Sequence, residues 1–255
     1  MMNFDSLIET AKEASLKAGQ AIIEVYNSSD FGVEAKSDDS PLTIADKRAH
    51  DIIVGLLNPT GLPILSEEGS AIEYSERSKW EYFWMVDPLD GTKEFIKKNG
   101  EFTVNIALVK GNEVISGVVY APVLDWLYWS TPGHSAMKQE KGQEPKEIKA
   151  VNFDPSKTGN KVVASRSHLN DDTKAFVEGL DEPDLISMGS SLKILLVGEG
   201  AADVYPRYAP TMEWDTAAAH GIIKAAGANI YQKDSNTELM YNKEDLLNPH
   251  FLVKG

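Results

Sequence analysis

The chain has 255 residues, 42% of them hydrophobic, enough for one large domain or two smaller ones around a shared core. A formal net charge of −14 excludes nucleic-acid binding through a basic surface, and zero cysteines exclude disulfides, thiolate ligands and a cysteine nucleophile. No apolar run is long enough to cross a bilayer, and the acidic, amphipathic start MMNFDSLIETAKEAS is not a targeting segment, so a cytoplasmic protein is expected.

Residues 3–27 place Phe4, Leu7, Ile8, Ala11, Ala14, Ala18, Ala21, Ile22 and Val25 at helical spacing, which predicts a core-packing first helix. Lys36 follows in the polar stretch KSDDSP and reads as solvated. A second helix is predicted over 43–57, stopped by Asn58-Pro59. Thr43 and Asp46 at its start form a capping box with Asp in place of Glu, the simplest role for Asp46, and His50 falls on the polar side. Leu62 to Leu65 is a short strand running into Ser66-Glu67-Glu68-Gly69. Only one of two consecutive side chains on an extended chain can face a given point. Glu67 is taken as the inward one, brought beside Asp87 by a neighbouring strand, parallel or antiparallel.

The stretch from Trp84 to Phe95, WMVDPLDGTKEF, organises the rest. An apolar strand delivers Asp87 to its carboxyl end; Pro88 to Asp90 read as a tight turn, and Lys93 to Lys98 as the start of a helix. Gly91 lets backbone approach a ligand closely, and the N–H groups of Gly91 and Thr92 open a helix where an anion is favoured. Two carboxylates beside an anion site call for cations between them, and the simplest chemistry is a divalent metal holding a phosphate. The same five residues, D-P-x-D-G, are equally a good turn sequence, and alone they do not choose.

Phe102, Val104, Ile106 and Leu108 alternate along the next strand, Gly111-Asn112 is a hairpin signal, and strands at 114–120 and 124–129 complete an antiparallel meander. Residues 135–148 read as an exposed hairpin or loop without chemistry. Beyond it strands and helices alternate: strands at 161–164, 184–187, 203–205, 229–231 and 251–253, and helices at 172–180, 190–200 and 215–226. Lys193 stands in a helix otherwise rich in Leu and Ile; Arg207 follows Tyr205-Pro206, with a fork suited to a bidentate phosphate contact. Asp215 opens DTAAAHGIIKAAG, where an N-cap is its ordinary job. Trp214 is assigned to the core.

Glu67, then Asp87-Pro88-Leu89-Asp90-Gly91-Thr92, then Trp214-Asp215-Thr216-Ala217-Ala218 resemble the inositol monophosphatase-like superfamily of Mg²⁺-dependent, lithium-sensitive phosphatases, over essentially the whole chain. Within it, DPLDGTKEF (87–95), SRSHLN (165–170), GSSLK (189–193), EGAADVYPR (199–207) and PTMEWDTAAAHGI (210–222) are most similar to the 3'(2'),5'-bisphosphate nucleotidases of the CysQ type. Inositol phosphatases typically have T-x-N-F where this chain has Thr92-Lys93-Glu94-Phe95, and Ala219 replaces a frequent Gly, a small-for-small change.

The resemblance implies a layered αβαβα sandwich, α+β over residues 1–135 with an antiparallel sheet and most metal ligands, and α/β over 136–255. It implies one Mg²⁺ on Glu67, Asp87 and the Leu89 carbonyl, a second on Asp87, Asp90 and Asp215, and room for a third near Glu67. Thr92 would help activate the attacking water, polarised by Asp46, which displaces the capping role; Glu67 would reach the same water through the metal. Gly91 and Thr92 would hold the phosphate. Ser165, His168, Ser191, Lys193, Arg207 and Asp215 would meet a nucleotide bisphosphate. The implied reaction is hydrolysis of adenosine 3',5'-bisphosphate to AMP and phosphate, with 3'-phosphoadenosine 5'-phosphosulfate as a second substrate, in sulfate assimilation. The rivals are an inositol-1-monophosphatase or broad sugar-phosphate phosphatase, and a non-catalytic nucleotide- or metal-binding module. A monomer or homodimer is expected, in the cytoplasm, with peripheral inner-membrane association by family analogy only.

Overall fold

The computed structural model describes residues 2–28, 34–35, 41–42, 44–164 and 170–255, so Lys36, Thr43, Ser165 and His168 lie outside the described residues. The first helix, α1 (Phe4–Tyr26), is capped by Asn3, whose side chain accepts from the Ser6 N–H at 3.2 Å. After a short antiparallel pair, β1 (Glu34–Ala35) and β2 (Pro41–Leu42), α2 (Ile44–Leu57) packs along α1. Next come β3 (Ile64–Ser66), a one-turn helix α3 (Tyr74–Arg77), β4 (Tyr82–Asp90) and a five-residue helix α4 (Thr92–Ile96). The meander follows as β5 (Thr103–Lys110), β6 (Glu113–Ala121), β7 (Trp126–Trp129), β8 (Met137–Glu140) and β9 (Lys146–Glu147). The remainder is β10 (Lys161–Ala164), α5 (Asp171–Glu178), β11 (Asp184–Ser187), α6 (Leu192–Gly198), β12 (Val204–Arg207), α7 (Glu213–Ala225), β13 (Asn229–Gln232) and β14 (Phe251–Lys254).

One sheet has the strand order β3-β4-β5-β6-β7-β8-β9, parallel only at β3/β4. The other has the order β11-β10-β12-β14-β13, with β10 parallel to both its neighbours. The layered αβαβα architecture expected from the resemblance is the one found. α1 and α2 cover one face of the seven-stranded sheet, α6 and α7 lie between the two sheets, and α5 packs outside on β12. β8 and β9 extend the first sheet past residue 135, and α7 packs on β4, β5 and β6, so the two halves of the sequence interleave around the inter-sheet core.

Alternation decides which side each strand residue serves. Trp84, Val86, Phe102, Val104, Ile106 and Leu108 enter the core under α1 and α2; Phe83, Met85, Ala107 and Val109 enter the core under α6 and α7. Against this second face α7 comes unusually close. A Cβ added at Gly117 of β6 would lie 2.0 Å from the Ala218 carbonyl oxygen, and one at Gly221 would lie 2.6 Å from the Ser116 carbonyl carbon. The small residues of DTAAAHGII therefore set the height of α7 above the sheet. That height places Asp215, at the start of α7, beside the end of β4.

Candidate active site

The site begins with a miscount in a strand. Asp87 pairs with Asn105 and Asp90 with Thr103, so β4 carries one residue more than β5 between these pairs. In a regular strand residues three apart face opposite ways. The extra residue is a bulge and resets the alternation. Leu89 drops into the core under α1 and α2, while Asp87 and Asp90 share the face of α7 with their partners Asn105 and Thr103. Pro88, with no N–H to leave unpaired, suits such a position. The tight turn expected after Asp87 is thus a bulge inside the strand, because the ladder to β5 resumes at Asp90. The chain turns only at Gly91, whose φ of +92° strains any residue with a side chain, and then enters α4.

Glu67 continues the parallel pairing one residue past β3, its N–H donating to the Val86 carbonyl at 3.0 Å. Its carboxyl group hydrogen-bonds to that of Asp87. Asp215 is the third residue of α7, where its Oδ2 accepts from the Met212 N–H at 2.9 Å. The expected N-cap position is held by Met212, and Asp215 closes the helix end from inside. Asp87, Asp90 and Asp215 each present an oxygen within 4.8 Å of the other two.

This concentration of charge is unfavourable as it stands. Burial pushes the Asp87 carboxyl well above the usual range, and Glu67, Asp90 and Asp215 push it further. Burial, followed by Asp90, pushes Asp215 up to about 8. Among the described residues no Lys, Arg or His forms an ion pair with Asp87, Asp90 or Asp215. An all-oxygen donor set of this kind could hold a hard divalent cation, whose charge would offset the repulsion.

Asp46, in the first turn of α2, is 1% exposed, and its Oδ1 lies 3.4 Å from the Thr92 hydroxyl. The same hydroxyl lies 3.4 Å from the Leu89 carbonyl oxygen. His50, expected to face water, is half-buried, its Nδ1 within 2.9 Å of the Ser66 hydroxyl, because α2 lies against the end of β3.

A cavity of about 690 Å³ opens from Asp90, Gly91 and Asp215 towards Lys193, Arg207 and Tyr208. Burial holds the Lys193 amine below its usual range against the pull of Asp90, and no ion-pair partner for it exists among the described residues. Arg207 donates from Nη2 to the Pro210 carbonyl at 3.1 Å, while its buried Nε has no hydrogen-bond partner among the described residues. Asn170, at the cavity wall, caps α5 by accepting from the Thr173 N–H at 2.9 Å. Ser191 also lines the wall, but its hydroxyl donates to Asn105 Oδ1 at 2.9 Å. Sequence reasoning missed Ser190, Thr103 and Asn105, which gather around Asp90 and Ser191. Their signal is the pairing across the bulge, which a single sequence does not display.

The inositol monophosphatase family model matches residues 3–253. The chain belongs to the inositol monophosphatase family. It is 44% identical over 250 residues to the 3'(2'),5'-bisphosphate nucleotidase CysQ of Salmonella typhimurium, covering 97% of this chain and 99% of that one. The corresponding CysQ of Escherichia coli is 43% identical over the same shares. Among solved structures, CysQ from Bacteroides thetaiotaomicron, a bacterial member of the same family, superposes with a TM-score of 0.87 at 46% identity, covering 99% of this chain and 97% of that one. An inositol monophosphatase family enzyme of Thermotoga maritima shares the fold, with a TM-score of 0.77 at 23% identity over 97% of this chain and 91% of that one. Family membership, with such identity over nearly the full length, makes this chain an enzyme, a phosphatase. No helix among the described residues is long and apolar enough to cross a membrane.

Proposed function

We propose that the enzyme hydrolyses the 3'-phosphate of adenosine 3',5'-bisphosphate, giving AMP and phosphate, and accepts 3'-phosphoadenosine 5'-phosphosulfate in the same way. The observation that carries this reading is the 44% identity over nearly the full length to a 3'(2'),5'-bisphosphate nucleotidase. The cavity supports it. It has a carboxylate end suited to metal and a second end, with Lys193 and Arg207, suited to another phosphate. The substrate belongs in this reading to sulfate assimilation in the cytoplasm.

Two Mg²⁺ ions would be held, one by Glu67, Asp87 and the Leu89 carbonyl and the other by Asp87, Asp90 and Asp215, with a third, weaker ion near Glu67; the gathering of Asp87, Asp90 and Asp215 supports this. When bound, they supply positive charge to the phosphate and to the leaving oxygen, and lower the pKa of the attacking water. The Thr92 hydroxyl donates to Asp46 Oδ1 and keeps lone pairs that orient the attacking water. The N–H groups of Gly91 and Thr92 at the start of α4 receive the 3'-phosphate oxygens. At the far end Lys193 and the Nε of Arg207, which has no partner among the described residues, receive the 5'-phosphate. Ser165, His168 and Ser191 would complete the nucleotide contacts, and Asp215 would serve both the metal site and the sugar. Water adds to phosphorus as the P–O3' bond breaks, and the leaving 3'-oxygen ends as a hydroxyl.

Phosphate release is measured from adenosine 3',5'-bisphosphate and from inositol 1-phosphate, each with Mg²⁺, with EDTA and with added Li⁺. Preference for the nucleotide, abolished by EDTA and inhibited by Li⁺, is the expected outcome. Preference for inositol 1-phosphate would leave the carboxylate end standing and overturn the assignment of Lys193 and Arg207.

A further inference from the structure

Asp90, from the first half of the chain, is held by residues of the second half. Its Oδ2 accepts from the Ser190 hydroxyl and from the Ser191 N–H, both at 2.6 Å. Its Oδ1 has no hydrogen-bond partner among the described residues. Ser190 reaches this oxygen from a left-handed backbone, φ +53°, which is uncommon for a residue with a Cβ. The posture is held from behind. Thr103, fully buried, places its Oγ1 against the hydroxyls of Ser190 and Ser191, and Ser191 is anchored again on Asn105. Thr103 and Asn105 are the strand partners of Asp90 and Asp87 across the bulge. The same short segment starts α6, whose second residue is Lys193.

We propose that Ser190 is a positioning residue for metal binding: its hydroxyl, with the Ser191 N–H, occupies Asp90 Oδ2 and presents Oδ1 to the carboxylate cluster. This rests on the reading of that cluster as a divalent-metal site. A carboxylate on a strand end has a free χ2 rotation; two charge-assisted hydrogen bonds to one oxygen fix it before any ion arrives. The strained φ of Ser190 is the conformation that lets one residue and its neighbour bond the same oxygen.

The test is calorimetric titration of Mg²⁺ into the EDTA-stripped full-length protein, as wild type, Ser190→Ala and Ser190→Gly, with the melting temperature of each metal-free form. Glycine removes the hydroxyl and also relieves the positive φ, so it separates the hydroxyl from backbone strain. The expected result is an affinity for Mg²⁺ about tenfold weaker in both variants. The glycine variant should melt no lower than wild type. The Mg²⁺ concentration for half-maximal turnover of adenosine 3',5'-bisphosphate should rise by the same factor, with KM for the nucleotide unchanged. Variants that bind Mg²⁺ as wild type does, or that change only the nucleotide KM, would overturn the role of Ser190 and make it a substrate contact or a packing residue. A wild-type protein that takes up no Mg²⁺ would overturn the metal reading itself.

Discussion

The two ends of the cavity are built by different means. At the carboxylate end, Glu67, Asp87 and Asp90 sit at the tips of paired strands and Asp215 on a helix pressed against the same sheet, so the backbone ladder fixes their spacing. At the other end, Lys193 and Arg207 reach in on flexible side chains. The first end concentrates repulsion that a bound cation would relieve. The second keeps two cations unpaired by any carboxylate among the described residues. The lesson is that rigidity is spent where charge repels, because a stiff frame is what keeps these acidic side chains together.

Asp90→Asn breaks the first end most severely. Turnover should fall at least about a thousandfold, on the scale of losing transition-state charge stabilisation and metal affinity together. The metal-free variant should melt above wild type, since repulsion is relieved and the amide oxygen can still accept from Ser190 and Ser191. Steady-state rates and thermal melts check both; a drop in melting temperature would mean that the cluster is not a store of repulsion.

Replacing the cations sharpens the contrast. Arg207→Ala or Lys193→Met should raise KM for adenosine 3',5'-bisphosphate by about 10–100-fold, the scale of one charge-assisted phosphate contact. Mg²⁺ affinity should stay unchanged. Equal losses in both quantities would show that the two ends are not separable.

Gly117→Ala tests whether helix height matters. The new methyl would meet the Ala218 carbonyl, so a loss of about 1–3 kcal/mol in stability is expected from overpacking, read by denaturant unfolding. Weaker Mg²⁺ binding should accompany it, because α7 carries Asp215.

The smallest effect is the dependence of metal stabilisation on pH. The folded pKa of Asp215, about 8, lies above its unfolded value of 3.8. Its protonated form therefore favours the metal-free fold at pH below the unfolded value, and that stability is lost as pH rises through about 8. A cation prefers the ionised form, so the rise in melting temperature on adding Mg²⁺ should grow between pH 5 and 8, the window set by this shift. Scanning calorimetry at fixed Mg²⁺ reads it directly.

Much of this frame was legible in residue patterns. The stripe from Ile8 to Val25 is the buried face of α1, and Phe102, Val104, Ile106 and Leu108 face one core together. Strand alternation allowed only one of Glu67 and Glu68 to face Asp87, Glu67 was taken as that one, and the structure places its carboxyl against that of Asp87. What escaped was set by long-range pairing. The bulge at Pro88-Leu89 depends on the register with β5, and the gathering of Ser190 and Thr103 on Asp90 spans residues 87 to 100 positions apart. His50 was misplaced for the same reason: its partner Ser66 lies on a strand that periodicity cannot put beside α2.

The bulge also makes the site unusually sensitive to chain length. Substitutions near Asp90 change what one side chain can do, but removing Leu89 would change parity. Even with every acidic residue retained, the ladder would close without its extra step, and the alternation would send Asp90 towards the apolar layer under α1 and α2. In this protein an insertion or deletion of a single residue between 87 and 90 is therefore a graver event than most replacements there. Two chains with identical acidic content could differ completely in whether they gather it.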